Sequence, residues 1–173
     1  MTLQRQERKP CRLSVAILAI LGAAGVVLMV EPASRSHAAE PVAFNHHTGL
    51  ALDGFDPVAY FTDGRARPGR PDLELRSGGG TWRFANEGNM AAFAADPEVY
   101  APRFGGHDPV AVVRGAATPG HPELWLIAED QLYLFYSEDA RAAFVRDPES
   151  TIEAAERHWP GVMRGISAVI GNR

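Results

Sequence analysis

The sequence predicts an α+β fold made of two tandem copies of one unit, followed by a C-terminal helix. The run Gly-Phe-Asp-Pro-Val-Ala at 54–59 recurs as Gly-His-Asp-Pro-Val-Ala at 106–111. Alignment of residues 54–98 with 106–149 gives 20 identities in 44 pairs, where ordinary composition would give roughly three. The offset changes from 52 to 51 near Thr62 and Asp63. This similarity at a constant offset indicates an internal duplication, and we call residues 54–98 the first unit and 106–149 the second.

Each unit is expected to begin with a short strand after its Asp-Pro pair, at Val58–Phe61 and Val110–Val113. Proline is tolerated there because the first residue of a strand need not donate to the ladder. A hairpin should follow, because apolar residues alternate along both of its arms. The expected arms are Leu73–Arg76 and Thr81–Ala85 in the first unit, and Leu124–Ala128 and Leu132–Tyr136 in the second.

A short helix should close each unit, starting at Asn86 or Ser137, which are good N-cap residues. Asp96-Pro97 and Asp147-Pro148 should end these helices, because the residue before proline avoids the α conformation. A unit of about 45 residues buries too little surface to be stable alone. The two units are therefore expected to share one core in a pseudo-symmetric domain, as an internal analogue of a twofold dimer.

Residues 39–53 form a lead-in segment, and residues 150–173 form a helical tail. A C-terminal helix is expected over 150–170, broken at Trp159-Pro160-Gly161 and resumed at Val162–Ile170, because proline removes a helical hydrogen bond. Trp159 should pack over the core.

The N-terminal residues resemble a secretory signal peptide. Residues 1–12 are polar and basic, residues 13–30 are apolar and uncharged, and Ser36-x-Ala38 suits cleavage after Ala38. The alternative is an uncleaved membrane anchor, since this apolar stretch is at the short edge of a bilayer span. Both alternatives send residues 39–173 across the membrane. The chain is expected to be periplasmic or extracellular, or anchored in the inner membrane and facing the periplasm.

Charge and cysteine content exclude several functions for residues 39–173. This part has 12 basic and 19 acidic residues, a net charge of −7, so it has no basic footprint for nucleic acid. The only cysteine, Cys11, precedes the apolar stretch. Cleavage would remove it and leave no thiol for a disulfide, for metal ligation or for nucleophilic catalysis.

The equivalent residues Asp56 and Asp108 are the first candidates for a functional site. If both loops meet, the two carboxylates would converge beside His107 and could bind a divalent cation. The alternative is structural, because an Asp-Pro carboxylate commonly accepts backbone N–H groups at a turn. Phe55 and Tyr60, with His107, are candidate ligand-binding residues at the same junction.

Other histidines are weaker candidates. The adjacent pair His46 and His47 could capture Cu(II) or Zn(II), but neighbouring side chains on an extended segment point apart. His121 lies in a loop and His158 near a helix end, where a solvated role is expected. No serine-hydrolase elbow, zinc-protease motif or glycine-rich nucleotide loop occurs in the sequence. The chain is therefore not expected to be an enzyme, although Asp56, Asp108 and His107 could in principle exchange protons.

The chain resembles the YHS-domain proteins secreted by bacteria. The similarity lies in Gly-Phe-Asp-Pro-Val-Ala-Tyr-Phe at 54–61, in Trp-Arg-Phe-Ala-Asn-Glu at 82–87, and in the Asp-Pro, Tyr-Ala-Pro, Gly-Gly and Trp-Pro pairs or triplets up to residue 160. The resemblance implies small units of a hairpin and a helix and, in metal-handling members, a metal site centred on cysteine. This sequence departs from that pattern, with Ala85 and Asn86 where the metal-handling members have cysteine after the central strand, and Asp108 where many secreted members have cysteine after Gly-Gly.

Two functions follow from these observations. The first is an extracytoplasmic binding module that holds a small ligand or metal ion at the junction of the two units. The second is a protein-interaction or structural module with a degenerate site and no metal. The membrane would be a partner only through an uncleaved N-terminal segment.

Overall fold

The computed structural model describes Ala43 and residues 48–171, with side chains up to Ala168. The predicted α+β class with a C-terminal helix is confirmed. The elements of the first unit and its extension are α1 (Ala59–Thr62), β1 (Arg70–Ser77), β2 (Gly80–Phe84), α2 (Glu87–Ala95) and α3 (Pro97–Tyr100). Those of the second unit and the tail are α4 (Pro109–Val113), β3 (His121–Ala128), β4 (Gln131–Phe135), α5 (Glu138–Arg146) and α6 (Pro148–Gly171). A short turn precedes each Asp-Pro pair, at Leu52–Gly54 and Arg103–Gly106.

The strands expected at Val58–Phe61 and Val110–Val113 are wrong, because the chain forms the short helices α1 and α4 there. The preceding aspartate explains the difference. Asp108 is the N-cap of α4, its side chain accepting from the N–H groups of Val110 and Ala111, and proline suits the first helical turn because its φ is already helical. This local capping outweighs the strand preference of the β-branched valines.

The two hairpins form where the alternation predicted them, and each is a two-stranded antiparallel sheet. Both β1 and β3 start earlier than expected and carry a bulge at equivalent positions, between Arg70 and Glu74 and between His121 and Trp125. Both turns have two residues in the left-handed region, Gly78-Gly79 and Glu129-Asp130, which matches the twist of a tight hairpin. The register is therefore the same in both units.

The caps of α2 and α5 are confirmed. The side chain of Asn86 accepts from the N–H of Asn89, and that of Ser137 accepts from the N–H of Ala140. Both helices end at an aspartate before proline, as expected. The unexpected helix α3 starts at Pro97 and ends before Ala101 and Pro102.

The predicted break at Trp159-Pro160-Gly161 is wrong, because α6 continues through Pro160. Trp159 and Val162 are buried on one face of the helix on either side of the proline. Packing of this face offsets the hydrogen bond that proline removes. Trp159 packs over the core as expected, against Phe104 and His107.

The first core lies between the two hairpins. It contains Tyr60, Trp82, Phe84 and Phe93 from the first unit, and Leu132 and Leu134 from β4 of the second. The second core lies between β4 and the helices α4, α5 and α6, with Tyr133, Phe135, Phe144, Trp159 and Val162 among its buried residues. The second hairpin is therefore buried on both faces, whereas a typical antiparallel hairpin buries one.

This packing is head-to-tail and differs from the expected twofold arrangement. The face of β4 that carries Leu132 and Leu134 covers the first unit. The equivalent face of β2 carries Thr81 and Arg83, which are half-buried. In a twofold arrangement equivalent surfaces would meet each other. Here the face of β4 with Leu132 and Leu134 packs on the core of the first unit. The opposite face of β4, with Tyr133 and Phe135, is covered by a core that includes α6.

The apolar stretch at 13–30 and the expected cleavage site at Ala38 lie outside the described residues. Within residues 48–171, no helix is both long and apolar enough to cross a membrane.

Candidate functional site

A left-handed turn precedes each of the two equivalent aspartates, Asp56 and Asp108. Leu52, Asp53 and Gly54 have φ values of 50°, 49° and 85°. The equivalent residues Phe104, Gly105 and Gly106 have 54°, 58° and 84°. Non-glycine residues rarely adopt this conformation, so the same unusual turn at both places shows that the duplicated loops share their backbone structure.

Asp56 is fully buried, and both of its carboxylate oxygens are hydrogen bonded. Oδ1 accepts from the N–H groups of Val58 at 2.9 Å and Ala59 at 3.4 Å. Oδ2 accepts from the N–H of Ala85 at 2.8 Å and from Nδ2 of Asn89 at 2.7 Å. The carboxylate therefore joins the start of α1 to the end of β2 and the first turn of α2.

Asp108 repeats this arrangement with one partner fewer, and it is 2% exposed. Oδ1 accepts from Val110 at 2.8 Å and Ala111 at 3.3 Å, and Oδ2 accepts from the N–H of Tyr136 at 3.0 Å. The position of Asn89 is taken in the second unit by Ala140, which has no side-chain donor. Asn89 was not predicted as a site residue, although this difference between the two copies was a usable signal.

His107 is buried beside α6, at the position that Phe55 occupies in the first unit. Its Nδ1 lies 2.8 Å from the carbonyl oxygen of Phe104. Because a carbonyl only accepts, Nδ1 carries the proton. Its ring is 5.6 Å from that of Trp159. Burial lowers the pKa of His107, an effect that the hydrogen bond to Phe104 opposes. The neutral imidazole is thus part of the packing between the loop and α6.

Tyr60 joins the two units. Its hydroxyl donates to the carbonyl oxygen of Pro122 at 2.9 Å, and its ring makes an edge contact with Trp125 at 5.2 Å. Burial raises the pKa of Tyr60, and the carboxylates of Asp56 and Glu123 raise it further. Tyr60 is 1% exposed. The candidate ligand-binding residue Phe55 is half-buried and packs against the same core.

The structure does not bring the three candidate ligands Asp56, His107 and Asp108 into a metal cluster. Among the described residues, no group of three or more histidine, cysteine or acidic side chains is placed to hold a metal ion. His121 and His158 are exposed, as expected for solvated positions, while His46 and His47 lie outside the described residues. The hydrogen bonds of Asp56 and Asp108 are those of the structural alternative, in which the carboxylate accepts backbone N–H groups.

Comparisons with known proteins add no assignment: no family model, curated protein or solved structure matches this chain.

Substitution of His107 by phenylalanine, the residue at the equivalent position 55, is expected to make the free energy of unfolding less dependent on pH below neutrality. The pKa of His107 is lowered from its ordinary value of 6.5 in the folded chain. Below that pH the unfolded chain binds more protons, so the free energy of unfolding falls as the pH is lowered. Because the variant has no imidazole at position 107, its free energy of unfolding lacks this contribution to the fall at low pH.

Urea unfolding at a series of pH values between 7 and about 5 measures this slope. The matched control is His121→Phe, at an exposed position in the same unit. A slope that His107→Phe leaves unchanged would show that His107 does not contribute to the acid sensitivity.

Proposed function

We propose that the exported part of the chain is a protein-interaction module of YHS-like units that has no metal site. In this proposal the aspartates that follow the two left-handed turns have a structural function. The ligand-binding alternative, with a site at the junction of the two units, is less well supported, because Tyr60 and Trp125 fill that junction by direct contact.

The observation that carries the proposal is that both oxygens of each carboxylate already accept hydrogen bonds. Asp56 receives four hydrogen bonds and Asp108 three, all from groups of its own unit. Binding of a cation would require several of these bonds to break, leaving buried N–H groups without partners at about 1–3 kcal/mol each. The three-dimensional arrangement therefore favours a structural role over metal binding.

An exposed aromatic side chain supports an interaction function. Tyr136 is 67% exposed, whereas the equivalent Ala85 is buried. Its backbone N–H is held by Asp108, and the next residue, Ser137, caps α5. The ring is thus displayed from a fixed backbone position, and tyrosine is one of the residues most enriched at the centres of protein interfaces. Val145 of α5 is a further exposed apolar residue of this unit.

The absence of a metal site is tested on the purified chain that begins at residue 39. Elemental analysis is expected to find less than a tenth of an equivalent of bound metal, and titration with Cu(II), Zn(II) or Ni(II) is expected to leave its melting temperature unchanged. A variant with glutamine at His46 and His47 separates binding by this histidine pair from binding at the junction. One equivalent of metal that is retained by this variant and lost on Asp108→Asn would overturn the proposal.

The interaction function is tested with a photo-crosslinking amino acid at Tyr136 in cells that express the chain. A discrete adduct of higher mass is expected from this position. The control is the same amino acid at Glu149, which is exposed on α6 and polar in the native chain. No adduct at position 136, or equal adducts at both positions, would count against an interface centred on Tyr136. This outcome is independent of the metal analysis.

A further inference from the structure

The two units present the same inner surface, built from equivalent residues of the hairpin and of the helices on either side of it. In the first unit the inner surface consists of Tyr60, Leu73, Leu75, Trp82, Phe84 and Phe93. In the second unit it consists of Val112, Leu124, Leu126, Tyr133, Phe135 and Phe144. Four of these six pairs are identical, so the two inner surfaces differ mainly in what covers them.

The inner surface of the first unit is covered by the outer face of the second hairpin, which carries Trp125, Ile127, Leu132 and Leu134. These side chains share one face, because Trp125 is paired with Leu134 and Ile127 with Leu132 across the two strands. At the edge of the contact, the hydroxyl of Tyr60 donates to the carbonyl oxygen of Pro122 at 2.9 Å. One apolar hairpin face therefore joins the second unit to the first.

On the second unit the equivalent surface is covered by α6. The buried residues of this helix are Ile152, Ala155, Trp159 and Val162, and their spacing of three or four residues places them on one face. The helix starts at Pro148, the equivalent of Pro97, where α3 starts the connection between the two units. It therefore begins where the chain would otherwise enter a further unit.

We propose that α6 is the terminal cap of a repeat array. It occupies the inner surface of the second unit, which in its absence binds the outer hairpin face of a further unit like the second one. The opposite end of the array is closed by charge, because the outer face of the first hairpin carries Glu74, Arg76, Thr81 and Arg83 at the positions of the four apolar residues. Burial of such a face against an apolar surface is unfavourable, and repeat proteins need terminal units of this polar kind.

The proposal is independent of the interface at Tyr136 and of the absence of metal. It is tested with a chain that begins at residue 39 and has a second copy of residues 99–149 inserted after Glu149. The inserted unit is expected to dock on the second unit and to receive α6 on its own inner surface. Urea unfolding should then show one transition, with an m-value about 1.4-fold that of the native chain, since m follows the surface exposed on unfolding. The variant should sediment as a monomer.

The matched control carries the same insertion with the outer face of the first hairpin, through Trp125→Glu, Ile127→Arg, Leu132→Thr and Leu134→Arg in the inserted copy alone. Here the inserted unit is expected to stay unfolded, to be cut by a protease, and to leave the m-value near that of the native chain. Aggregation or proteolysis of the apolar insertion, or equal behaviour of the two insertions, would overturn the proposal.

Val112→Tyr at the original position is a second variant with effects of opposite sign. In the chain with the apolar insertion the new hydroxyl can donate to Pro122 of the inserted copy, as that of Tyr60 does in the native contact, so the free energy of unfolding should rise. In the native chain Val112 is fully buried in the core that includes α6, so the larger ring should lower the free energy of unfolding. The same sign in both chains would show that a further hairpin does not replace α6 on this surface.

Discussion

Replacement of Gly120 by alanine is expected to lower the free energy of unfolding by at least about 3 kcal/mol, because the new methyl group would overlap a neighbouring strand. A Cβ at this position would lie 2.4 Å from Cβ of Leu134 and 2.7 Å from its carbonyl carbon. The loop at Gly120 is fixed to the turn before Asp108, because the N–H of Gly120 donates to the carbonyl oxygen of Gly106 at 2.9 Å. Neither segment can move without loss of this bond or of the packing of β4.

Gly69 gives an internal replicate of this experiment. It occupies the equivalent position in the first unit, and its Cβ would lie 2.5 Å from the carbonyl carbon of Arg83. The matched control is Gly165→Ala in α6, where no heavy atom of the described residues lies within 4 Å of the new methyl group. There alanine is expected to stabilise the helix by up to about 1 kcal/mol. Urea unfolding of the three variants measures these differences, and a Gly120 variant as stable as the control would refute the close approach.

The second large effect is expected for Asp56→Ala, which should lower the free energy of unfolding by about 3–5 kcal/mol. The variant leaves the N–H groups of Val58, Ala59 and Ala85 and the amide of Asn89 without their acceptor in a buried site. Each orphaned buried donor costs about 1–3 kcal/mol, and local relaxation recovers part of the total. Chemical denaturation at neutral pH gives the measurement.

Asp108→Ala is the matched variant for this prediction, because Asp108 makes the same backbone contacts and lacks the fourth partner. It is expected to cost less than Asp56→Ala, by about the 1.5–3 kcal/mol of one hydrogen bond to a charged group. Asn89→Ala places in the first unit the alanine that the second unit has at position 140. It should lower the free energy of unfolding by most of the difference between the Asp56→Ala and Asp108→Ala variants. If Asp56→Ala is too unstable to purify, the comparison of Asn89→Ala with the native chain still tests the contribution of the fourth bond. A larger cost at Asp108 than at Asp56 would contradict the assignment.

Much of the local structure could be predicted because its causes lie within a few residues of sequence. Asn86 and Ser137 cap the helices that follow them, and Asp-Pro pairs end those helices. The apolar alternation locates both hairpins. The duplication itself predicts that residues such as Gly69 and Gly120 occupy equivalent environments, and both glycines do meet the backbone of the paired strand.

In two places the prediction from the sequence differed from the structure. Val58–Phe61 was expected as a strand from its composition, but Asp56 turns it into a helix while its other oxygen holds Ala85, 29 residues away. Pro160 was expected to break α6, but burial of Trp159 and Val162 on either side keeps the helix continuous. In the first case a local side-chain cap outweighed the strand preference, and in the second tertiary packing outweighed the hydrogen bond that proline removes.

The candidate site, too, could be predicted only in part from the sequence. From the sequence, Asp56, Asp108 and His107 could be metal ligands or structural groups, since both uses need the same side chains. The hydrogen-bond partners distinguish the two uses, and all of them except the side chain of Asn89 are backbone N–H groups, which carry little signal in a sequence.

The sequence by itself determined the duplicated architecture, the hairpins, the caps, the signal-like N-terminus and the absence of any thiol beyond Cys11. Only the tertiary structure decided how the two units pack and which groups donate hydrogen bonds to the aspartates. The physical reason is that the apolar pattern of β4, with Leu132 and Leu134 on one face and Tyr133 and Phe135 on the other, requires burial on both sides and does not specify the partners. The first unit and α6 supply those partners, and this head-to-tail order replaces the symmetric junction at which a shared site was expected.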